Sequence, residues 1–173
     1  MTIVLPLILA ISHLPILGGA KPIPVNPRNY RNFKQGDIMV SLAGVVTNVI
    51  LAFVFTAVIP ILYFPGRAFP NAENAFAIMQ QMCIYGIFIN LVLAVFNLTP
   101  IPPLDGSHVF KYILPPAWAL SYERISRYGL LIVCALLFFG SQLLNYWLLP
   151  ATSLTTFLAG SVSSFVLPWQ GAL

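Results

Sequence analysis

The chain has 173 residues, 59% of them hydrophobic and 7% charged, with a mean hydropathy of +0.90. A soluble domain carries about 25% charged residues, so this composition excludes an ordinary soluble fold and indicates an integral membrane protein. The net charge of +4 suits loops at a membrane face better than a nucleic-acid surface.

In chain order, Ile3 to Leu17 is the first apolar run. Pro6 and Pro15 break it, it carries His13, and no basic segment precedes it, so a signal peptide is a poor reading. Starting beside Met1, it reads as a helix cut into from its N-terminal side. The stretch GGAKPIPVNPRNYRNFKQGD at 18–37 is polar and basic, and Pro22, Pro24 and Pro27 predict extended backbone there. Ile38 to Phe64 predicts a membrane span. It opens on the small residues Ser41, Ala43 and Gly44, and Asn48 follows one turn after Gly44 on the same face. That pattern marks either a tight helix contact or a polar group beside a site. A short loop is expected at 65–75, then a span from Phe76 to Phe96. Asn90 and Asn97 lie two turns apart on one face, which is expected to look into the bundle. Ser107 to Leu114 predicts a short helix stopped by Pro115 and Pro116, and Tyr128 to Leu149 the last span. The tail from Ala151 holds no charge, and its run Phe157 to Leu167 is expected at the interface or partly inserted. Cys83 and Cys134 sit in apolar runs outside any CxxC spacing and read as buried small hydrophobes.

The expected fold is therefore an all-α polytopic membrane protein with about four transmembrane helices and an extended Pro-rich cytoplasmic segment. With no Ser/Gly-rich linker and no internal repeat, residues 1–173 read as a single membrane domain. Loops 18–37 and 97–127 hold seven of the eight Lys and Arg residues and are separated by two spans. The excess of positive charge on the inner side of membranes places both in the cytoplasm.

The segment NLTPIPPLDGSHVF at 97–110 raises the chemical question, because it holds Asp105, one of four acidic residues in the chain. The plain reading is a tight turn or a helix N-cap, in which the carboxylate accepts backbone N–H bonds. Against it, ionisable groups at membrane depth mark ion paths, proton relays or metal sites. His108, three residues on, adds a weak metal signal or simply points to the headgroups.

These residues resemble a known family. "NLTPIPPLDG" resembles the second signature of the site-2 protease family of intramembrane zinc metalloproteases. "AKPIPVNPRNYRNFKQGDIMVSLAGVVTNVILA" is similar to the family's extended segment and its Ala-Gly-Pro-x-x-Asn helix. The two stretches occur in the family's order and cover roughly residues 18 to 114. The resemblance implies that Asp105 is the third zinc ligand, with Asn97, Gly106 and Asn48 beside the site. It also implies that Lys21, Pro22, Ile23, Pro24 and Val25 line substrate entry. An extended edge there would hold an unwound peptide by strand addition. Zinc is the implied cofactor, and the implied partners are a membrane protein substrate and the lipid bilayer, without nucleic acid.

The family's first signature, His-Glu-x-x-His, supplies two zinc ligands and the general base. It is absent: the chain's two histidines are His13 and His108, and neither stands in that pattern. The resemblance places the missing helix before the first apolar run, so N-terminal truncation is expected, and this chain alone is expected to be inactive. Val45 stands where the family usually has proline, and Gly19 where an aromatic is common. Three readings stay open: an intramembrane metalloprotease represented by its C-terminal part, an inactive relative that binds membrane helices, and a transporter or channel fragment with Pro-broken helices.

Overall fold

A computed structural model describes residues 33–168. The expectations for the run at 3–17 and for the Pro-rich extension lie outside these residues. Among the described residues there is no strand. The helices are α1 (Phe33–Ala68), α2 (Glu73–Asn97), α3 (Asp105–Lys111), α4 (Pro116–Ser126), α5 (Gly129–Phe139) and α6 (Ser141–Ser161), with 3-10 turns at Pro70–Ala72 and Ser163–Phe165.

Two helical stretches are long and apolar enough to cross a membrane, Lys34–Ala68 and Pro70–Asn97. α1 runs through Pro60 and Pro65 instead of stopping at Phe64. A proline inside a membrane helix removes one donor, and neighbouring groups take up the freed carbonyl. The expected loop at 65–75 is correspondingly short, a single 3-10 turn.

The expected last span, 128–149, is not one helix. Gly140 interrupts it at φ −99°, ψ 26°, and a Cβ there would lie 2.6 Å from the Leu136 carbonyl oxygen. α6 then continues to Ser161, so the tail expected to lie at an interface is helical through Phe157. Of the expected spans, the described residues thus show two that are long and apolar enough to cross a membrane. α4, which was not expected, begins on Pro116, where a missing N–H costs nothing.

The core lies among α1, α2 and α6. Ala52 and Ile59 meet Cys83, Ile87, Leu91, Ala151 and Leu158. The spacings of seven within α1 and α6, and of four within α2, put each set on one helical face. A Cβ on Gly86 would come within 2.9 Å of the Phe55 ring, so α1 and α2 approach closely at that level. Outward faces carry Phe53, Ile61, Phe64, Met82 and Leu131. Such an exterior suits lipid, where helices associate by close packing and hydrogen bonds rather than by escaping water.

One buried polar group binds the tail. Gln80 is fully buried and donates through Nε2 to the carbonyls of Ile59 and Phe165, each at 2.9 Å. Its Oε1 accepts the Leu167 N–H at 2.8 Å.

Candidate functional site

The site is built where α2 ends. After Asn97 the chain folds back through Leu98–Leu104, with Thr99 N–H bonded to the Phe96 carbonyl at 3.0 Å and Leu104 N–H to the Ile101 carbonyl at 2.9 Å. Pro100, Pro102 and Pro103 have no N–H to satisfy, which lets this non-helical backbone exist at the edge of an apolar bundle. The Pro102–Pro103 peptide is cis. Tyr122 on α4 donates its hydroxyl to the Pro100 carbonyl at 2.9 Å and so ties α4 to the turn.

α3 then starts at Asp105. Gly106 is buried, and a Cβ on it would run into the Leu98 carbonyl and lie 2.8 Å from the Thr99 carbonyl oxygen. The Asp-Gly pair therefore has a local cause: glycine lets α3 press against the preceding turn, and the aspartate beside it is held in place. Asp105 is not an N-cap. Leu104 occupies that position, and there is no side-chain cap bond. Among the described residues no hydrogen bond reaches the Asp105 carboxylate. The side chain is half-buried and faces α1, where a Cβ on Gly44 would sit 3.4 Å from its Oδ2. Burial pushes the Asp105 carboxyl above its ordinary value, and the charge of His108 offsets part of that rise.

A second set of contacts joins α1 to the far end of α3. Asp37 accepts a 2.8 Å hydrogen bond from the Tyr112 hydroxyl. Its carboxylate also lies 3.2 Å from Lys111 Nζ and 3.3 Å from His108 Nδ1. Lys34, one turn earlier, donates to the Tyr112 carbonyl at 3.4 Å. Burial presses the Lys111 ammonium down, but the bond and charge of Asp37 outweigh it and hold its pKa above the usual lysine value. Burial and the same carboxylate push Tyr112 up. Next to this cluster a cavity of about 330 Å³ is lined by Ser107, His108, Lys111, Tyr122 and Glu123.

The residues singled out from sequence fall in three groups. Asp105 and Gly106 meet the Gly44 region of α1 and the Leu98–Thr99 turn respectively. Asn48, one turn beyond Gly44, and Asn97, the last residue of α2, are half-buried. Lys21, Pro22, Ile23, Pro24 and Val25 lie outside the described residues, as does His13. Asp37, Lys111 and Tyr112 were not singled out. The available signal was that Asp37 is one of four acids and opens an apolar run.

The described residues do not make a zinc site by themselves. They contain no group of three or more His, Cys, Asp and Glu side chains placed to hold a metal. Asp105 offers one half-buried carboxylate without a hydrogen-bond donor, whereas a catalytic zinc takes three protein ligands.

Residues 62–140 match peptidase family M50. The chain is 34% identical over 133 residues to YwhC of Bacillus subtilis (strain 168), named as a candidate zinc metalloprotease; the match covers 77% of this chain and 59% of YwhC. It is 41% identical over 81 residues to MJ0611 of Methanocaldococcus jannaschii, named likewise, covering 47% of this chain and 36% of that protein. The chain thus spans less than two thirds of either relative's length. No solved structure matches.

Proposed function

Because this chain belongs to peptidase family M50, the site-2 protease family, we propose that it forms part of an intramembrane zinc metalloendopeptidase that cleaves membrane-spanning protein segments. The observation that carries the reading is the placement of Asp105. It is a half-buried carboxylate with its pKa raised by burial, without a hydrogen-bond donor among the described residues, at the start of α3 directly after a Pro-rich turn. A carboxylate so placed is suited to a cation. On this reading Asp105 is one ligand of a zinc ion that activates water as the nucleophile, and Asn48, Asn97 and Gly106 shape its surroundings. The reading needs two histidines and a glutamate that these 173 residues do not hold in the His-Glu-x-x-His pattern. The Pro-rich 21–25 segment is proposed to line substrate entry, and the basic loops to face the cytoplasm.

A second reading is a relative that binds membrane helices without cutting them. One experiment separates the two. The longest reading frame containing this segment is expressed in membranes with a model single-span substrate, as wild type and as Asp105→Ala. Cleavage by the wild type, lost in Asp105→Ala at equal protein yield, is the expected result. Full cleavage by Asp105→Ala removes Asp105 from the site, and no cleavage by either form, with the substrate still co-purifying, supports the binding reading.

A further inference from the structure

We propose that Asp37 is a positioning residue for Asp105, acting through α3 rather than on substrate or metal. α1 and α3 touch at two levels. Gly44 faces Asp105, and Asp37, nearly two turns earlier on α1, takes His108, Lys111 and Tyr112. The order of these contacts makes the helices antiparallel: the start of α3 meets the later position of α1 and the end of α3 meets the earlier one. A seven-residue helix has little stability of its own. Its register against α1 must therefore come from outside, and one carboxylate gathers three donor groups from its last turn. Bonds to an ionised acceptor are about twice as strong as neutral ones, and Lys34 adds a further bond to the Tyr112 carbonyl. Without Asp37, Lys111 would keep, among the described residues, Glu123 at 4.0 Å and the Tyr112 ring at 4.9 Å. Among the described residues the end of α3 would then be tied to α1 through the Lys34–Tyr112 bond, and Asp105 would be held less firmly against Gly44.

The catalytic meaning of this contact rests on Asp105 being a zinc ligand; the register itself does not. The test therefore reads the register directly in the full chain. In a background with Cys83→Ala and Cys134→Ala, the pair Gly44→Cys and Asp105→Cys is joined by a short bis-thiol reagent. The pair Phe55→Cys and Gly86→Cys reports the α1–α2 contact in parallel. Asp37→Ala is expected to slow the 44–105 crosslink by about tenfold, the scale of one lost charge-assisted bond, and to leave the 55–86 crosslink unchanged. The double variant Lys111→Met, Tyr112→Phe removes two of the three donors instead of the acceptor and is expected to slow the same crosslink. An unchanged 44–105 rate in either variant overturns the proposal. So does an equal loss at both pairs in both variants, which makes Asp37 a general folding residue. In the longest reading frame, metal analysis of Asp37→Ala is expected to show faster zinc loss at unchanged yield. If that protein holds no zinc even as wild type, the metalloprotease reading fails while the crosslinks still decide the role of Asp37.

Discussion

At the scale of the residue, Asp105 and Gly106 have separable duties. The Asp105 carboxyl is raised above its ordinary value of 3.8 by burial, so the folded state binds the proton more tightly than the unfolded one. Stability is then highest while both forms are protonated. It falls as pH rises from that ordinary value through the folded pKa, and stays level above it. Asp105→Asn removes this fall, so the variant is expected to be at least as heat-stable as wild type at neutral pH in detergent. Gly106→Ala acts on packing instead. Its methyl would meet backbone carbonyls that have no side-chain freedom to move aside. A loss of about 1–3 kcal/mol is expected from overpacking, visible as a lower denaturation midpoint, with the Asp105 carboxyl displaced as α3 tilts.

At the scale of the element, the least obvious contact is the one between α2 and the tail. Gln80 is buried at the level where Ile59 and the 165–167 segment meet, and it satisfies two carbonyls and one amide. Its replacement by leucine would keep the volume and strand the Leu167 N–H and the Phe165 carbonyl. Each buried unsatisfied group costs about 1–3 kcal/mol. Gln80→Leu is expected to release the tail while the bundle stays folded. Faster proteolytic nicking after Ser161, with unchanged helix content by circular dichroism, would show it. The break at Gly140 is a second element-scale feature: it turns an apolar run that looked like a single span into α5 and α6, and gives α6 the direction that brings Ala151 and Leu158 to the core.

At the scale of the whole molecule, the ends of the helices sort by charge. Lys34, Asp37, Lys111 and Tyr112 share one end of the bundle, together with the turn that carries Asp105. Arg67 and Glu73, 3.6 Å apart, mark the turn between the two candidate spans. If the basic end faces the cytoplasm, Ser121→Cys is labelled only after the membrane is opened, and Asn71→Cys is labelled in intact cells. The reverse pattern inverts the proposed orientation. The 173-residue chain alone is expected to hold no stoichiometric zinc and to cleave no peptide, because its sequence lacks the His-Glu-x-x-His pattern that would supply two ligands and a general base, and its described residues hold no group of three metal-binding side chains. Metal analysis of the purified chain, with a peptide-cleavage assay beside it, checks both.

The all-helical class and the two long apolar helices were legible in the sequence. Each of these depends on local quantities: hydropathy over a window and proline placement. The bend between Asn97 and Leu104 was legible for the same reason, since Pro100, Pro102 and Pro103 leave few backbone choices there. Helix ends were less legible, because a proline inside a membrane helix and a proline that ends one look alike until neighbouring groups are known. Pro65 continues α1, whereas Pro116 opens α4. What only the tertiary structure decided were contacts between residues far apart in the chain: Gly44 against Asp105, Asp37 against the end of α3, and Gln80 against the tail. An aspartate at the mouth of a span, or a glutamine within one, has the same local signature whether it meets water, lipid headgroups or a distant helix. Its partner is set by how helices cross, and that geometry is a property of the packed bundle rather than of any one segment.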